Sequence, residues 1–326
     1  VPAEHVLVFD EAQRAFSADQ VAEKHRKAWP SGAARSEPAH FVEISERTPD
    51  WSVLIGLVRT GQEINRGEEG GLALWRAALD EADEPARWTI HAPAAAEAAF
   101  ANCKARVSWT PELSLDTAIR FHLAPDLHRF VEAVLGGDAK TARALADRLQ
   151  DDGAGGGLRL RVTRRLALAK RYLRERYADD PDARFGLLAS ARDRVLEREF
   201  GIPNGFAATR VVPIGAWFVE GEDDHRSCRN LYTVATEFAA QGLELDMALL
   251  CWGTDLAWTG TKWSSAEARK FAKRGAPVHD PHQLRLNAYR VLLTRGRDGM
   301  VVWVPDIPAL HSTYERLVEC GFRPLE

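Results

Sequence analysis

The chain has 326 residues, of which 45% are hydrophobic and 28% charged, with a formal net charge of -4 at pH 7. That length suits about two domains of ~150 residues, and no apolar run approaches the ~18 residues that would cross a membrane. The mild acidity excludes a general basic coat, so any nucleic-acid binding needs a local stripe. Cys103, Cys228, Cys251 and Cys320 lie far apart, with no CxxC and no histidine at zinc spacing. They read as reduced, mostly structural thiols of a cytoplasmic protein, and no secretory leader is expected before the first strand.

Short β-type runs alternate with helical stretches from end to end. The predicted strands are "HVLVFD", "WSVLIGLV", "RWTIHAP", "LRLRV", "FGLLAS", "LYTVAT", "MALLCWG" and "GMVVWVP". Helical spacing runs through "LHRFVEAVLGG", "TARALADRLQ", "RRLALAKRYLRERY" and "ALHSTYERLVECG", two of them followed by glycine stops. This order predicts an α/β fold with a mostly parallel sheet and helices on both faces. "DDGAGGG" at 151–157 reads as a flexible turn, and 201–229 as a loop-rich insertion. The domain boundary is expected near 105–112, dividing the chain into 1–108 and 109–326.

Several constellations could carry chemistry. The first strand runs directly into Asp10-Glu11-Ala12-Gln13. In phosphoryl transfer, an Asp there coordinates magnesium directly or through water while the adjacent Glu orients the attacking water. The same letters also suit a strand end with two solvated acids. "RTGQEI" places Gln62 at a turn where its amide can donate to a phosphate oxygen and accept from water, although a Gly-Gln turn is often only a turn. Arg120 precedes an amphipathic helix, and Arg290 and Arg295 stand ahead of an apolar strand. A guanidinium aimed at a γ-phosphate stabilises charge developing in the transition state.

"TVATEFAAQGLELDMALLCWG" is the most distinctive stretch, requiring close backbone approach at Gly242 and a carboxylate at Glu244 suited to a ribose hydroxyl or a neighbouring arginine. The arginines of "RLRVTRRLALAKRYLRERY" could track a phosphate backbone. The favoured reading is a solvated helix face with pairs such as Arg171 and Glu175.

Taken in order, "VLVFDEAQRAF", "GQEINRGEEGGLALW", "LSLDTAIRF", "GLLAS", "TEFAAQGLELD" and "NAYRVLLTRGRDGMVVWVP" resemble the Schlafen-group-3-like DNA/RNA helicase domain, a superfamily 1 relative of the UvrD/Rep helicases. The resemblance covers nearly the whole chain. It implies two RecA-like parallel-sheet units, the first incomplete, in an ATPase that moves on single-stranded DNA or RNA with ATP and Mg2+ as cofactors. Asp10 and Glu11 then match the motif II acids, with Asp10 on the magnesium, and Gln62 matches the motif III glutamine. Arg120 matches motif IV, Gly242 and Glu244 motif V, and Arg295 motif VI. Arg120 and Arg295 would be fingers supplied by the second RecA-like domain across the ATP cleft. Gln13 is a candidate for linking nucleotide state to the polynucleotide, and Arg290 is grouped with the cofactor-binding residues.

The departure is the phosphate loop. No GxxxxGK[ST] occurs: "GGDAKTA" lacks the preceding glycine spacing, and "GTDLAWTGTKWS" has Thr261 where Gly-Lys is needed. Without those amides and that lysine, ATP is held poorly. The expectation is therefore that the Walker A segment lies upstream in cis, or as a lesser alternative on a separate polypeptide, and that this chain alone is inactive. A different class remains open, a degenerate module that binds nucleic acid or protein without hydrolysis.

Overall fold

A computed structural model describes residues 4–24, 34–58, 71–114, 124–150, 157–270, 278 and 280–325. The chain forms two compact units, residues 1–117 with 271–280 and residues 118–270 with 281–326. In order, the smaller unit contains β1 (Val6–Phe9), α1 (Ala18–Lys24), α2 (Glu37–Glu46), β2 (Val53–Gly56), α3 (Gly71–Asp80), β3 (Thr89–Ala92), α4 (Glu97–Phe100) and β4 (Arg106–Trp109). Strands β1 and β2 pair in parallel with Val6 opposite Val53, and β3 and β4 pair in parallel with Thr89 opposite Arg106.

Helix α2 was not among the predicted elements, yet its start is local chemistry. The Ser36 hydroxyl accepts from the Ala39 amide at 3.3 Å, and Pro38 occupies the first turn. Its inner face, Ala39 and Val42, meets Ala78 and Leu79 of α3 and Phe100 of α4. A second cluster joins Ala12, Ala15 and Trp75 with Phe9 and Phe41. The Phe9 ring stands edge-on to Trp75 at 5.4 Å and to Phe41 at 4.8 Å, so the end of β1 is held from two helices.

The larger unit begins with α5 (Ala124–Gly136), α6 (Ala139–Gln150), β5 (Arg159–Thr163), α7 (Leu166–Arg176), β6 (Phe185–Ala189), α8 (Val195–Phe200), α9 (Phe206–Thr209) and α10 (Ile214–Val219). It continues with β7 (Val234–Thr236), α11 (Glu237–Ala240), β8 (Leu245–Cys251), β9 (Ala257–Trp258), β10 (Trp263–Ser264), α12 (Pro281–Leu293), β11 (Gly296–Trp303), α13 (His311–Glu319) and β12 (Arg323–Pro324). Six strands form one sheet in the order β12-β5-β11-β8-β6-β7, every pair parallel. Strands β9 and β10 form a small antiparallel pair apart from it.

The alternating side chains of the sheet enter two cores, one on each face. Leu160, Val162, Ala248, Leu250, Met300 and Val302 pack with α5, α6, α12 and α13. Leu187, Met247, Leu249, Cys251, Val301 and Trp303 pack with α7 and α8. Burial on both faces is why these strands read as unbroken apolar runs. The chain is thus an α/β protein with RecA-like parallel-sheet architecture. No helix among the described residues is long and apolar enough to cross a membrane.

The stretch 201–229 is more than a loop-rich insertion. It carries α9 and α10, and its Trp217 is fully buried in the core on the α5 side. The Arg229 guanidinium donates to the Asp180 and Ala183 carbonyls at 2.9 and 2.7 Å and stacks 5.0 Å from the Phe185 ring. Gly186 makes this docking possible, because a Cβ there would stand 2.6 Å from Trp217 Cζ2. Replacing Gly186 by Ala should overpack the site and cost about 1–3 kcal/mol. The urea midpoint checks this, and adding Trp217→Ala should give a double variant whose loss is smaller than the two single losses combined.

Candidate functional site

Asp10 and Glu11 follow β1 at its carboxyl end, where open parallel sheets bind ligands. Glu11 takes a left-handed backbone conformation with φ 54°, which costs a non-glycine residue about 1–2 kcal/mol. Local bonds hold it there. The Glu11 amide donates to Asp10 Oδ1 at 2.9 Å, and Gln13 Nε2 donates to Glu11 Oε2 at 2.7 Å. Gln13 is 1% exposed, so its amide is a fixed support rather than a solvated group. Backbone bonds complete the frame: Ala12 N donates to the Leu57 carbonyl at 2.7 Å, and Trp75 Nε1 to the Ala12 carbonyl at 2.6 Å. The exposed Asp10 and half-buried Glu11 carboxylates are therefore presented from a braced turn.

Gln62 and Arg120 lie outside the described residues. Gly242, Glu244 and Arg295 are brought together at the amino edge of the larger sheet. Gly242, with φ 81°, makes the turn that a side chain would strain, and the half-buried Glu244 leads into β8. Arg295, immediately before β11, is only 7% exposed. Its Nε donates to the Val291 carbonyl at 2.9 Å, and its Nη1 to those of Ala240 and Leu243 at 3.4 and 3.2 Å. The Leu245 amide returns a 2.8 Å bond to the Arg295 carbonyl. In this conformation the guanidinium clamps the turn that carries Gly242 and Glu244. Arg290 lies within α12 and bonds Asn287 Oδ1 at 2.7 Å.

The basic stretch after Arg159 is largely used within the fold. Arg161 bonds Gln150, Arg164 bonds Asp306, Lys170 caps the Leu231 carbonyl, and Arg171 faces Glu175 at 3.7 Å.

A polar cluster that sequence reasoning did not assemble occupies the opposite, carboxyl edge of the larger sheet. Ser190 follows β6, Glu237 follows β7, and Thr254 and Asp255 follow β8. Arg285 and Tyr289 reach them from α12. Arg285 Nη2 pairs with Glu237 Oε1 at 2.7 Å, while its Nη1 donates to Ser190 Oγ at 2.9 Å and lies 3.3 Å from Asp255 Oδ2. Ser190 Oγ donates to Asp255 Oδ2, and Tyr289 OH donates to Asp255 Oδ1 at 2.7 Å. The second Glu237 oxygen accepts from the Ala191 amide at 2.8 Å. Asp193 stands alongside, accepting from the Val195, Leu196 and Thr254 amides.

Glu237 and Asp255 are fully buried, and Arg285 is 4% exposed. Burial raises Asp255 to about 6, with the Arg285 charge opposing that rise. Burial likewise holds the Tyr289 hydroxyl well above its ordinary value, reinforced by the neighbouring Asp255. The sequence held a signal for this cluster, since three apolar runs each end on a polar group: "GLLAS", "TVATE" and "LLCWGTD".

An all-parallel sheet with polar groups at its strand ends, preceded by a unit with an acid pair at a strand end, defines an α/β protein of the RecA-like class. The chain belongs to the family described as Schlafen group 3, DNA/RNA helicase domain, whose model matches residues 1–306. The family is one of helicase-like, nucleic-acid-binding domains. No curated protein matches the chain.

Asp255 also makes stability depend on pH. Its carboxyl is raised in the fold, so its contribution is fully present below the ordinary value of 3.8 and is lost as pH rises through about 6. The difference in unfolding free energy between the wild type and Asp255→Asn should therefore shift against the wild type between pH 4 and 7. Urea titrations at several pH values measure it, and a pH-independent difference would show that the carboxyl titrates normally.

Proposed function

We propose that this helicase domain is the ATPase region of a superfamily 1 type helicase or translocase acting on single-stranded DNA or RNA. The observation that carries the reading is the acid pair after β1, with Glu11 held by Gln13 and its turn tied to Leu57 and Trp75. In this reading Asp10 holds Mg2+ directly or through water, and Glu11 orients the water that attacks the γ-phosphate of ATP. Asp10 is exposed, and the Glu11 amide engages its Oδ1. Among the described residues, no group of three or more His, Cys, Asp or Glu is arranged to hold a metal. Mg2+ takes one or two carboxylates and completes its shell with water and phosphate, and Asp10 would supply one of those carboxylates.

Gln62 is assigned to sensing the γ-phosphate, Glu244 to the ribose or a neighbouring arginine, and Arg120 and Arg295 to charge stabilisation. Arg290 is assigned to the nucleotide side. Gln13 supports Glu11 and is the residue through which nucleotide state reaches the polynucleotide. For Arg295 to meet a phosphate, its guanidinium must exchange carbonyl partners for phosphate oxygens. The cradle for the β- and γ-phosphates is a separate requirement. The sequence contains no GxxxxGK[ST], so that loop has to come from outside it, in cis or more remotely from a second polypeptide.

A second reading, a non-hydrolysing module that binds nucleic acid or protein, is favoured by two observations: the missing loop and the use of Arg295 as a backbone clamp.

Calorimetric titration of ATP and Mg2+ into this chain, with and without a single-stranded oligonucleotide, should show weak or no nucleotide binding. Tight binding would require a phosphate site that these residues do not explain and would sink the assignment. In a protein supplied with the loop, Glu11→Gln should keep ATP binding and lower turnover by about 10²-fold or more. Arg295→Ala should slow hydrolysis more than it weakens nucleotide binding, and the reverse pattern would remove it from the finger role. Unchanged turnover in either variant would remove that residue from its assigned role, whereas binding of nucleic acid with no hydrolysis even when the loop is present would favour the second reading.

A further inference from the structure

Two arginines join the same two segments at opposite edges of the larger sheet. At the carboxyl edge, Arg285 of α12 pairs at 2.7 Å with Glu237, the first residue of α11. At the amino edge, Arg295, just beyond α12, bonds the carbonyls of Ala240, the last residue of α11, and Leu243 in the turn after it. From Arg285 to its last residue, Leu293, helix α12 rises about 12 Å, and Arg295 follows two residues later. Its apolar side, including Leu284, Ala288, Val291 and Leu292, is buried. Apolar burial is non-directional, however, and leaves the helix tolerant of small rotations and axial slips. A guanidinium fork set between Glu237, Ser190 and Asp255 is directional and costly to displace without compensation.

We propose that Arg285 is a positioning residue: its ion pairs with Glu237 and Asp255 set the rotation and height of α12 against α11, and thereby place Arg295 and the turn 241–244. Loops at the carboxyl edge are in this way mechanically continuous with the turn at the amino edge. The importance of this placement for catalysis rests on the reading of Arg295 given under the proposed function. The coupling itself does not, so the test uses neither nucleotide nor nucleic acid.

Amide hydrogen exchange followed by mass spectrometry on the whole chain tests it with Arg285→Lys, which keeps the charge and removes the fork, and Tyr289→Phe, which leaves the Arg285–Glu237 pair in place. Arg285→Lys should speed exchange of the Leu243 and Leu245 amides by about 10-fold or more. Amides of β5, farther across the sheet, should keep wild-type rates. Tyr289→Phe should leave Leu243 and Leu245 within about twofold of wild type. Unchanged exchange at the turn in Arg285→Lys would overturn the proposal. So would equal acceleration throughout the unit, which is the mark of a general loss of stability. If Arg285→Lys does not fold, Glu237→Gln provides the same comparison while retaining a neutral acceptor. Failure of this coupling leaves the Asp10-Glu11 reading intact, and failure of ATP binding leaves the coupling intact.

Discussion

One guanidinium, Arg285, lies in a space nearly closed to water beside the carboxylates of Glu237 and Asp255, with a third carboxylate, Asp193, close by. Such a group is tolerable only when nearly every charge has partners, because an unpaired buried charge costs several kcal/mol. The edge is organised accordingly. Backbone amides at Ala191, Val195, Leu196 and Thr254 all point at carboxylate oxygens, and Ser190 and Tyr289 supply hydroxyl donors. The loops after β6 and β8, the start of α11 and the body of α12 therefore cannot move independently without exposing a charge.

The smaller unit solves a related problem with neutral groups. A glutamate in the left-handed region would ordinarily relax, but Gln13 and the bonds to Leu57 and from Trp75 hold the turn in place. A backbone in a sparsely populated conformation, retained by a surrounding frame, suits a group that must be presented in one orientation. The phosphoryl-transfer reading proposed for Asp10-Glu11 rests on this braced presentation. Membership of the helicase-domain family supplies the class, and the braced acids give that class a specific site to test.

Much of the fold was legible in the letters, and so was the acid pair. Strands buried on both faces become runs such as "MALLC" and "MVVW", and both elements appear where those runs lie. Helix α12 was harder to read because its inward side includes Arg285 and Asn287, which interrupt an apolar stripe. Helix α2 carries its start signal locally, in Ser36 and Pro38, but its buried side is short: Pro38, Ala39, Val42 and Ser45. The stretch 201–229 has the composition of a loop, while its tie to the core depends on one tryptophan meeting a glycine far upstream.

By itself, then, the sequence determined the α/β class, the acidic strand end, the positions of the six family-like stretches and the lack of a phosphate loop, because each is a local property of neighbouring residues. Tertiary structure alone decided the strand order β12-β5-β11-β8-β6-β7, the meeting of Glu237 and Asp255 with Arg285, and the use of Arg295 as a clamp on the turn beside it. Arg285 is 48 residues from Glu237 and 30 from Asp255. No periodicity links groups so far apart. They meet because parallel strands return each crossover to the same edge, and because a buried charge must find its counter-charge wherever the chain has placed it.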